Sequence, residues 1–336
     1  MKGLGLVVSP GDDSFAGCPP ALTSGKNCLV ITTDLLVENT HFLTRWERFF
    51  RKPAVFYNAL GYKALAVNLS DLAAMGPVKP LFCLIGLGIP VNTPVDKVDN
   101  FYNGFLGLAS KNGVFLCGGD LNSSKKWVIS VTLIGVANRR DIVKRSGATP
   151  GDNLYSTGFL GNSAAGLKIL KSGPNSPLFR SFPLCKRGRG TRPALAGWVG
   201  DFRKYPYNHL IKSHLYPPVR LKEGAFLSKS ATAMIDSSDG LYNSVMLLCD
   251  SSKTGAKIFA DCIPVSKELK KFTNNWLDYA LYGGEDYELI FTSKKPIKNP
   301  LISCIGEITE KKYGIKIFEN KHSRKTIPLK KGFQHF

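Results

Sequence analysis

Tyr62-Lys63-Ala64-Leu65-Ala66-Val67-Asn68-Leu69-Ser70-Asp71-Leu72-Ala73-Ala74-Met75-Gly76 decides how the rest of the chain is read. Ala64, Leu65, Val67, Leu69 and Leu72 recur at helical spacing and predict a buried face. Asn68, Ser70 and Asp71 interrupt it with a polar notch. A carboxylate among so many small apolar residues needs a partner, because burying an unpaired charge is costly. Two readings are open: Ser70 or Asp71 caps a following short helix, as such residues often do, or Asp71 holds a cation.

Working outward, a helix is expected over Pro53–Met75, with Pro at its start. Strands are expected at Cys28–Thr33, ending at Asp34, at Leu81–Ile89, at Val114–Cys117 running into Gly118-Gly119-Asp120, and at Trp127–Ala137. Residues 1–28 read as loop. Val95–Asn112 reads as an amphipathic helix with Val98, Phe101, Phe105, Leu106 and Ala109 on one face. A turn-rich linker at Arg145–Asp152 marks a boundary between residues 1–144 and 145–336. The second half repeats the style, with strands at Asn153–Thr157, Ala233–Ile235 (ending at Asp236), Leu289–Thr292 and Ser303–Ile308. Helices are expected at Ser163–Lys171, within Pro217–Ser228, and at Leu241–Ser251. Strands and helices without strict alternation give an α/β (α+β) class with mixed sheets flanked by helices.

The chain has 336 residues, enough for two cores. Lys and Arg number 45 against 25 Asp and Glu, so the net charge of +20 favours anionic partners. No apolar run is long enough to span a bilayer. None of the 8 cysteines falls in a Cys-x-x-Cys pair, and the set reads as reduced thiols in a cytoplasmic setting. Residues 172–206 carry seven Lys/Arg against Asp201 and five prolines. They read as a solvated basic insertion, and nucleic acid is not expected as a partner, because the aromatics there do not interleave with the cations.

In a chain this basic the acidic residues are oddly placed. Gly11-Asp12-Asp13, Thr32-Thr33-Asp34, Ser70-Asp71, Gly119-Asp120, Asp236-Ser237-Ser238-Asp239 and Gly284-Glu285-Asp286 all follow small residues at the ends of apolar runs. Each alone is ordinary turn chemistry. Together they supply hard oxygen ligands suited to Mg²⁺, and Mg²⁺ lets several carboxylates coexist with a triphosphate. No P-loop, dinucleotide-binding or protein-kinase motif is present. A nucleotide would therefore be held through metal-bridged phosphates.

The ordered series Gly-Asp-Asp (11–13), Thr-Thr-Asp-Leu-Leu-Val-Glu-Asn-Thr-His-Phe (32–42), the stretch at 61–76, Gly-Gly-Asp (118–120), Arg-Ser-Gly-Ala-Thr-Pro-Gly-Asp (145–152), Ser-Ala-Ala-Gly-Leu (163–167), Asp-Ser-Ser-Asp-Gly-Leu (236–241), Gly-Gly-Glu-Asp-Tyr-Glu-Leu (283–289) and Lys-Gly-Phe-Gln-His-Phe (331–336) resembles the thiamine-monophosphate kinases. These belong to the aminoimidazole ribonucleotide synthetase-like superfamily. The resemblance implies an N-terminal domain that binds ATP and Mg²⁺ and pairs in a homodimer, and a C-terminal α/β domain. It implies transfer of a phosphoryl group from ATP to thiamine monophosphate. By motif, Asp13, Thr32, Thr33, Asp34, Asp71, Asp120, Asp236 and Asp239 would be metal ligands, with Asp71, Asp120 and Asp239 catalytic and Asp71 meeting Asp34 and Asp120. Gly119, Asp120, Arg145, Ser238 and Tyr102 would contact ATP. His41, Glu285 and Phe333 would face thiamine monophosphate. Bland alternatives stand beside these: Arg145 pairing with Asp152, His41 as a half-buried histidine, Phe333 as core packing, and Tyr102 on the outside of its helix.

Overall fold

The computed structural model describes residues 6–8, 11–18, 26–50, 52–172 and 207–329. Phe333 and the insertion from residue 173 onward lie outside them. The first sheet has six strands: β1 (Leu6–Val8), β2 (Phe15–Gly17), β3 (Asn27–Val37), β4 (Lys79–Ile89), β5 (Phe115–Ser123) and β6 (Val128–Asn138), in the order β1-β2-β3-β6-β4-β5. Among the described residues, β4 and β5 are the only parallel pair in this sheet. Parallel neighbours need a long crossover, and α2 (Val95–Lys111) supplies it. The second sheet contains β7 (Asn153–Thr157), β8 (Ala233–Asp236), β9 (Thr254–Phe259), β10 (Leu289–Ser293), β11 (Ile302–Glu310), β12 (Ile315–Phe318) and β13 (Thr326–Ile327), in the order β13-β12-β9-β11-β7-β10-β8. Helices α3 (Asn162–Ser172), α4 (Asn208–Leu215), α5 (Leu221–Leu227), α6 (Leu241–Ser252), α7 (Lys267–Phe272) and α8 (Trp276–Tyr282) accompany it. The class is the expected mixed α/β arrangement.

Helix α1 (Pro53–Ala74) is buried nearly all round, not on one face. It is a wedge between the two halves. Leu65, Leu69 and Leu72 join the core of the first sheet. Ala73 and Ala74 pack with Tyr155, Met234, Leu289 and Phe291 of the second. Two glycines let α2 lie close against α1. A Cβ on Gly61 would stand 1.9 Å from the Phe101 carbonyl oxygen, and one on Gly104 would stand 1.9 Å from that of Asn58. Leu106, expected on the packed face of α2, is exposed instead. Phe101, Phe105 and Leu108 define that face, and Leu106 points about 100° away from Phe105.

Four further expectations change. Residues 1–28 are not all loop: β1 and β2 pair there, in strands too short to show a period. Asp34 lies inside β3, which continues to Val37 because Leu35-Leu36-Val37 keeps pairing with β6. Asp120 likewise lies inside β5, where Gly118 and Gly119 continue the ladder. The cysteines are not all reduced: Cys18 and Cys28 form a disulfide, because the β2–β3 register that pairs Gly17 with Leu29 sets them opposite each other.

Candidate metal and phosphate site

The first alternative for Asp71 falls at once. Helix α1 runs past it to Ala74, so Asp71 sits in the last turn and caps nothing that follows. The last turn is the negative end of the helix dipole and carries no basic residue. Asp71 is therefore an unfavourable carboxylate unless a cation comes to it. The neighbouring groups are acidic as well. Asp236 enters from the end of β8 in the second sheet, and Asp13 from the turn before β2. One carboxylate oxygen from each of Asp13, Asp71 and Asp236 lies within 4.8 Å of the others. Asp34 projects from the inner, α1-facing side of β3 and raises the pKa of Asp71 by its charge.

Hydrogen bonds from both halves fix this cluster. The Thr32 hydroxyl donates to Asp71 at 2.5 Å, and the Ser70 hydroxyl donates to Asp236 at 2.7 Å. Arg145 donates to Asp13 Oδ1 through Nη2 at 2.6 Å and Nε at 3.2 Å. Its Nη1 donates to the Gly11 carbonyl at 2.9 Å. Burial pushes Asp34 up to about 6, and the charge of Asp236 adds to it. Burial also pushes Asp236 up to about 6 against the lowering effects of Ser70 and Arg145, with Asp239 raising it further. Burial and like charges hold Asp13 and Asp71 well above the usual carboxylate range. Asp13 Oδ2 is buried with no hydrogen-bond partner. An all-oxygen donor set, elevated carboxylates and an orphaned oxygen fit a hard divalent cation.

The other expected residues are spread over several places. Ser238 and Asp239 follow Asp236 directly, and the Ser238 carbonyl accepts the Glu285 N–H at 2.6 Å. Thr33 and Asp120 occupy the outer face of the first sheet. Thr33 Oγ1 donates to the Val131 carbonyl at 3.1 Å, and Asn122 donates to Asp120 at 2.5 Å. The register Asp34–Val131–Ile85–Gly119 puts three strand spacings, roughly 14 Å, between Asp34 and the β5 edge. Within this chain Asp71 therefore meets Asp34 but not Asp120. Gly119 and Asp120 line a groove of about 350 Å³ with Tyr102, Ile85, Leu116 and Leu121. A Cβ on Gly119 would stand 1.9 Å from the Ile85 carbonyl oxygen, which explains the glycine. His41 lies in the turn after β3, where its Nδ1 accepts the Val37 N–H at 3.0 Å. Arg145 pairs with Asp13 and not with Asp152, which instead accepts from Thr149 and Thr232.

Glu285 is held inside the junction of the two halves. Its carboxylate lies 3.1 Å from Lys63 Nζ and 3.1 Å from His214 Nδ1. Burial alone would raise its pKa, but the Lys63 ammonium beside it, with the His214 ring on its other oxygen, outweighs that and holds it well below the usual range. Lys63 and His214 escaped the sequence reading. The signal for Lys63 was the same as for Asp71: a charge inside an apolar helix. Nothing local marks His214, which α4 brings in across the chain. Asp286, one residue on, accepts the backbone N–H groups of Gly161 and Ser163 at 2.6 and 3.1 Å at the start of α3.

None of the described helices is long and apolar enough to cross a membrane. Residues 15–137 match the family model for AIR synthase related protein, N-terminal domain. The thiamine-monophosphate kinase of Buchnera aphidicola subsp. Acyrthosiphon pisum is 38% identical, covering 100% of this chain and 94% of the relative. That of Aquifex aeolicus is 33% identical over 97% of this chain and 92% of its own. A solved structure described as AaThiL complexed with AMPPCP and TMP superposes with a TM-score of 0.74 at 30% identity, covering 97% of this chain and 91% of the other.

Proposed function

Because this chain belongs to the thiamine-monophosphate kinase family, we propose that it phosphorylates thiamine monophosphate to thiamine diphosphate with ATP. The observation that carries the reading is the convergence of Asp13, Asp71 and Asp236, drawn from separate regions of both halves, to within 4.8 Å. A nucleic-acid-binding protein has no need of such a costly cluster. Phosphoryl transfer does, because its transition state requires positioning and charge neutralisation more than a covalent nucleophile.

Asp13, Asp34, Asp71 and Asp236 would hold Mg²⁺, with Thr32 and Asp239 beside them. Bound there, the metal supplies neutralisation of phosphate charge. The chain's own groups do the rest. Thr32 and Ser70 orient the carboxylates on which the metal depends. Arg145, five-donor and permanently charged, donates to Asp13 here and would be the group that binds a phosphate of ATP. The Ser238 segment and the groove at Gly119, Asp120 and Tyr102 are assigned to ATP. Glu285, His41 and Phe333 are assigned to thiamine monophosphate, Glu285 to the cationic thiazolium. The acceptor phosphate is already anionic at neutral pH, so no strong general base is needed. ATP as co-substrate supports a cytoplasmic location.

Residues 1–144 and 145–336 are proposed as the two functional units, with α1 reaching from the first into the second. The outer face of the first sheet supports a homodimer. Leu35, Phe82, Leu84 and Phe115 are exposed there, and α1 and α2 cover only the opposite face. A second copy covering it would also enclose Thr33 and Asp120, which this chain alone leaves apart from the cluster. The test is ADP release by the purified protein with ATP, Mg²⁺ and thiamine monophosphate, with thiamine diphosphate identified as product. Well-folded protein that releases no ADP would sink the proposal.

A further inference from the structure

Lys63 carries a charge in the α1 stretch that the kinase reading leaves unused. Its ammonium is buried to 3% exposure in a helix made largely of Ala and Leu. Such a group is expensive to bury, and a buried ion pair is often no more stabilising than an apolar replacement. Fold stability is therefore a poor account of it. Lys63 Nζ lies 3.1 Å from Glu285 Oε1, and Oε2 lies 3.1 Å from His214 Nδ1. The same ring nitrogen lies 3.0 Å from the Ser163 hydroxyl, and Trp46 packs edge-on against the ring. Glu285 also has an unusual backbone, at φ 65°. A non-glycine residue there costs on the order of 1 kcal/mol or more and persists only when its surroundings impose it. Here they do: the N–H is tied to the Ser238 carbonyl, and the carboxylate is held from α1 and α4.

The spacing on α1 links this clamp to the metal site. Lys63 precedes Asp71 by eight residues, about 12 Å along a rigid helix. Lys63 and Ser70, seven residues apart, share one side of it, and Ser70 binds Asp236.

We propose that Lys63 is a positioning residue for the acceptor: it fixes the Glu285 carboxylate at a set distance from the Asp71 cluster, so that thiamine monophosphate is held in register with ATP. Lys63 acts through Glu285 and does not touch the substrate. The proposal rests on the reading of Glu285 as the group facing the thiazolium.

The test is the KM for each substrate in Lys63→Met, Lys63→Arg, Glu285→Gln and the Lys63→Met/Glu285→Gln double variant. Losing a charge-assisted contact predicts about a tenfold rise in the KM for thiamine monophosphate in Lys63→Met. The KM for ATP should stay within about twofold, and Lys63→Arg should recover part of the loss. In the Glu285→Gln background, Lys63→Met should add nothing. If Lys63→Met alone does not fold, the double variant, which leaves neither charge unpaired, is compared with Glu285→Gln. Equal KM values then support the proposal, and a further rise overturns it. Wild-type protein that does not turn over thiamine monophosphate overturns the kinase reading and this inference with it. Wild-type turnover with an unchanged acceptor KM in Lys63→Met, or with both KM values raised equally, overturns this inference alone.

Discussion

Asp71→Asn separates what Asp71 does for the fold from what it does for the reaction. The carboxylate oxygens of Asp13, Asp71 and Asp236 lie within 4.8 Å of one another. Two unit charges at that distance repel by about 3 kcal/mol at an effective dielectric of 20. Shared protons relieve part of this in the metal-free protein, so removing one charge should stabilise it by about 1–3 kcal/mol. Asparagine keeps the shape and can still accept the Thr32 hydroxyl, so nothing offsets the gain. The melting temperature without metal should hold or rise by a few degrees, about 2–4 °C per kcal/mol. Activity should move the other way. Losing one preorganised electrostatic group costs about 10²–10³ in rate, and kcat/KM should fall by at least that much. The assay is coupled ADP release, paired with thermal melts with and without Mg²⁺. The stabilisation given by Mg²⁺ should shrink in the variant. A rate within about threefold of wild type, or a metal-free protein that melts several degrees lower, would refute the assignment.

Three more outcomes follow from the same geometry. Asp34 and Asp236 are raised from 3.8 to about 6, so the folded state keeps protons that the unfolded state releases. Their contribution to metal-free stability is full below about pH 4 and declines as pH rises through about 6; Mg²⁺ competes with those protons and should raise the melting temperature more above pH 6 than at about pH 5. Gly61→Ala places a methyl 1.9 Å from the Phe101 carbonyl oxygen and should cost about 3 kcal/mol or more, read as a clear fall in melting temperature; an unchanged value would mean that α1 and α2 cross elsewhere. Leu84→Glu lies on the exposed outer sheet face, so it should barely alter a monomer but dissociate a dimer, as sedimentation would show; identical sedimentation of variant and wild type would count against that face as the interface.

The legible parts of the fold were those with a long, unbroken pattern. Helix α1 was readable because Ala and Leu fill it and Pro53 opens it. Strand β6 was readable because its alternation survives eleven residues. The illegible parts depend on partners distant in sequence. Strands β1 and β2 are three residues each; β2 forms by pairing with β3, and β1 by pairing with β2. Strand β9 was not among the expected strands; it is held by β11 and β12 on either side. The Cys18–Cys28 disulfide follows from the β2–β3 register, which no local spacing announces. At the site, the acidic residues stood out because charge is rare in apolar runs. Their grouping did not, since strand alternation sends Asp34 inward and Thr33 and Asp120 outward. Lys63 and Glu285, 222 residues apart, are joined only by the packing of α1 against the second half.

Carboxylates from both halves converge to within 4.8 Å at the proposed metal–phosphate site. Anomalous scattering from Mn²⁺, in crystals grown with a non-hydrolysable ATP analogue, tests it most directly. Metal peaks are expected roughly 2.0–2.3 Å from carboxylate oxygens of Asp13, Asp71 and Asp236, with Arg145 turned from Asp13 toward phosphate. Peaks remote from these three residues, or a bound nucleotide with no metal among them while Arg145 stays on Asp13, would contradict it.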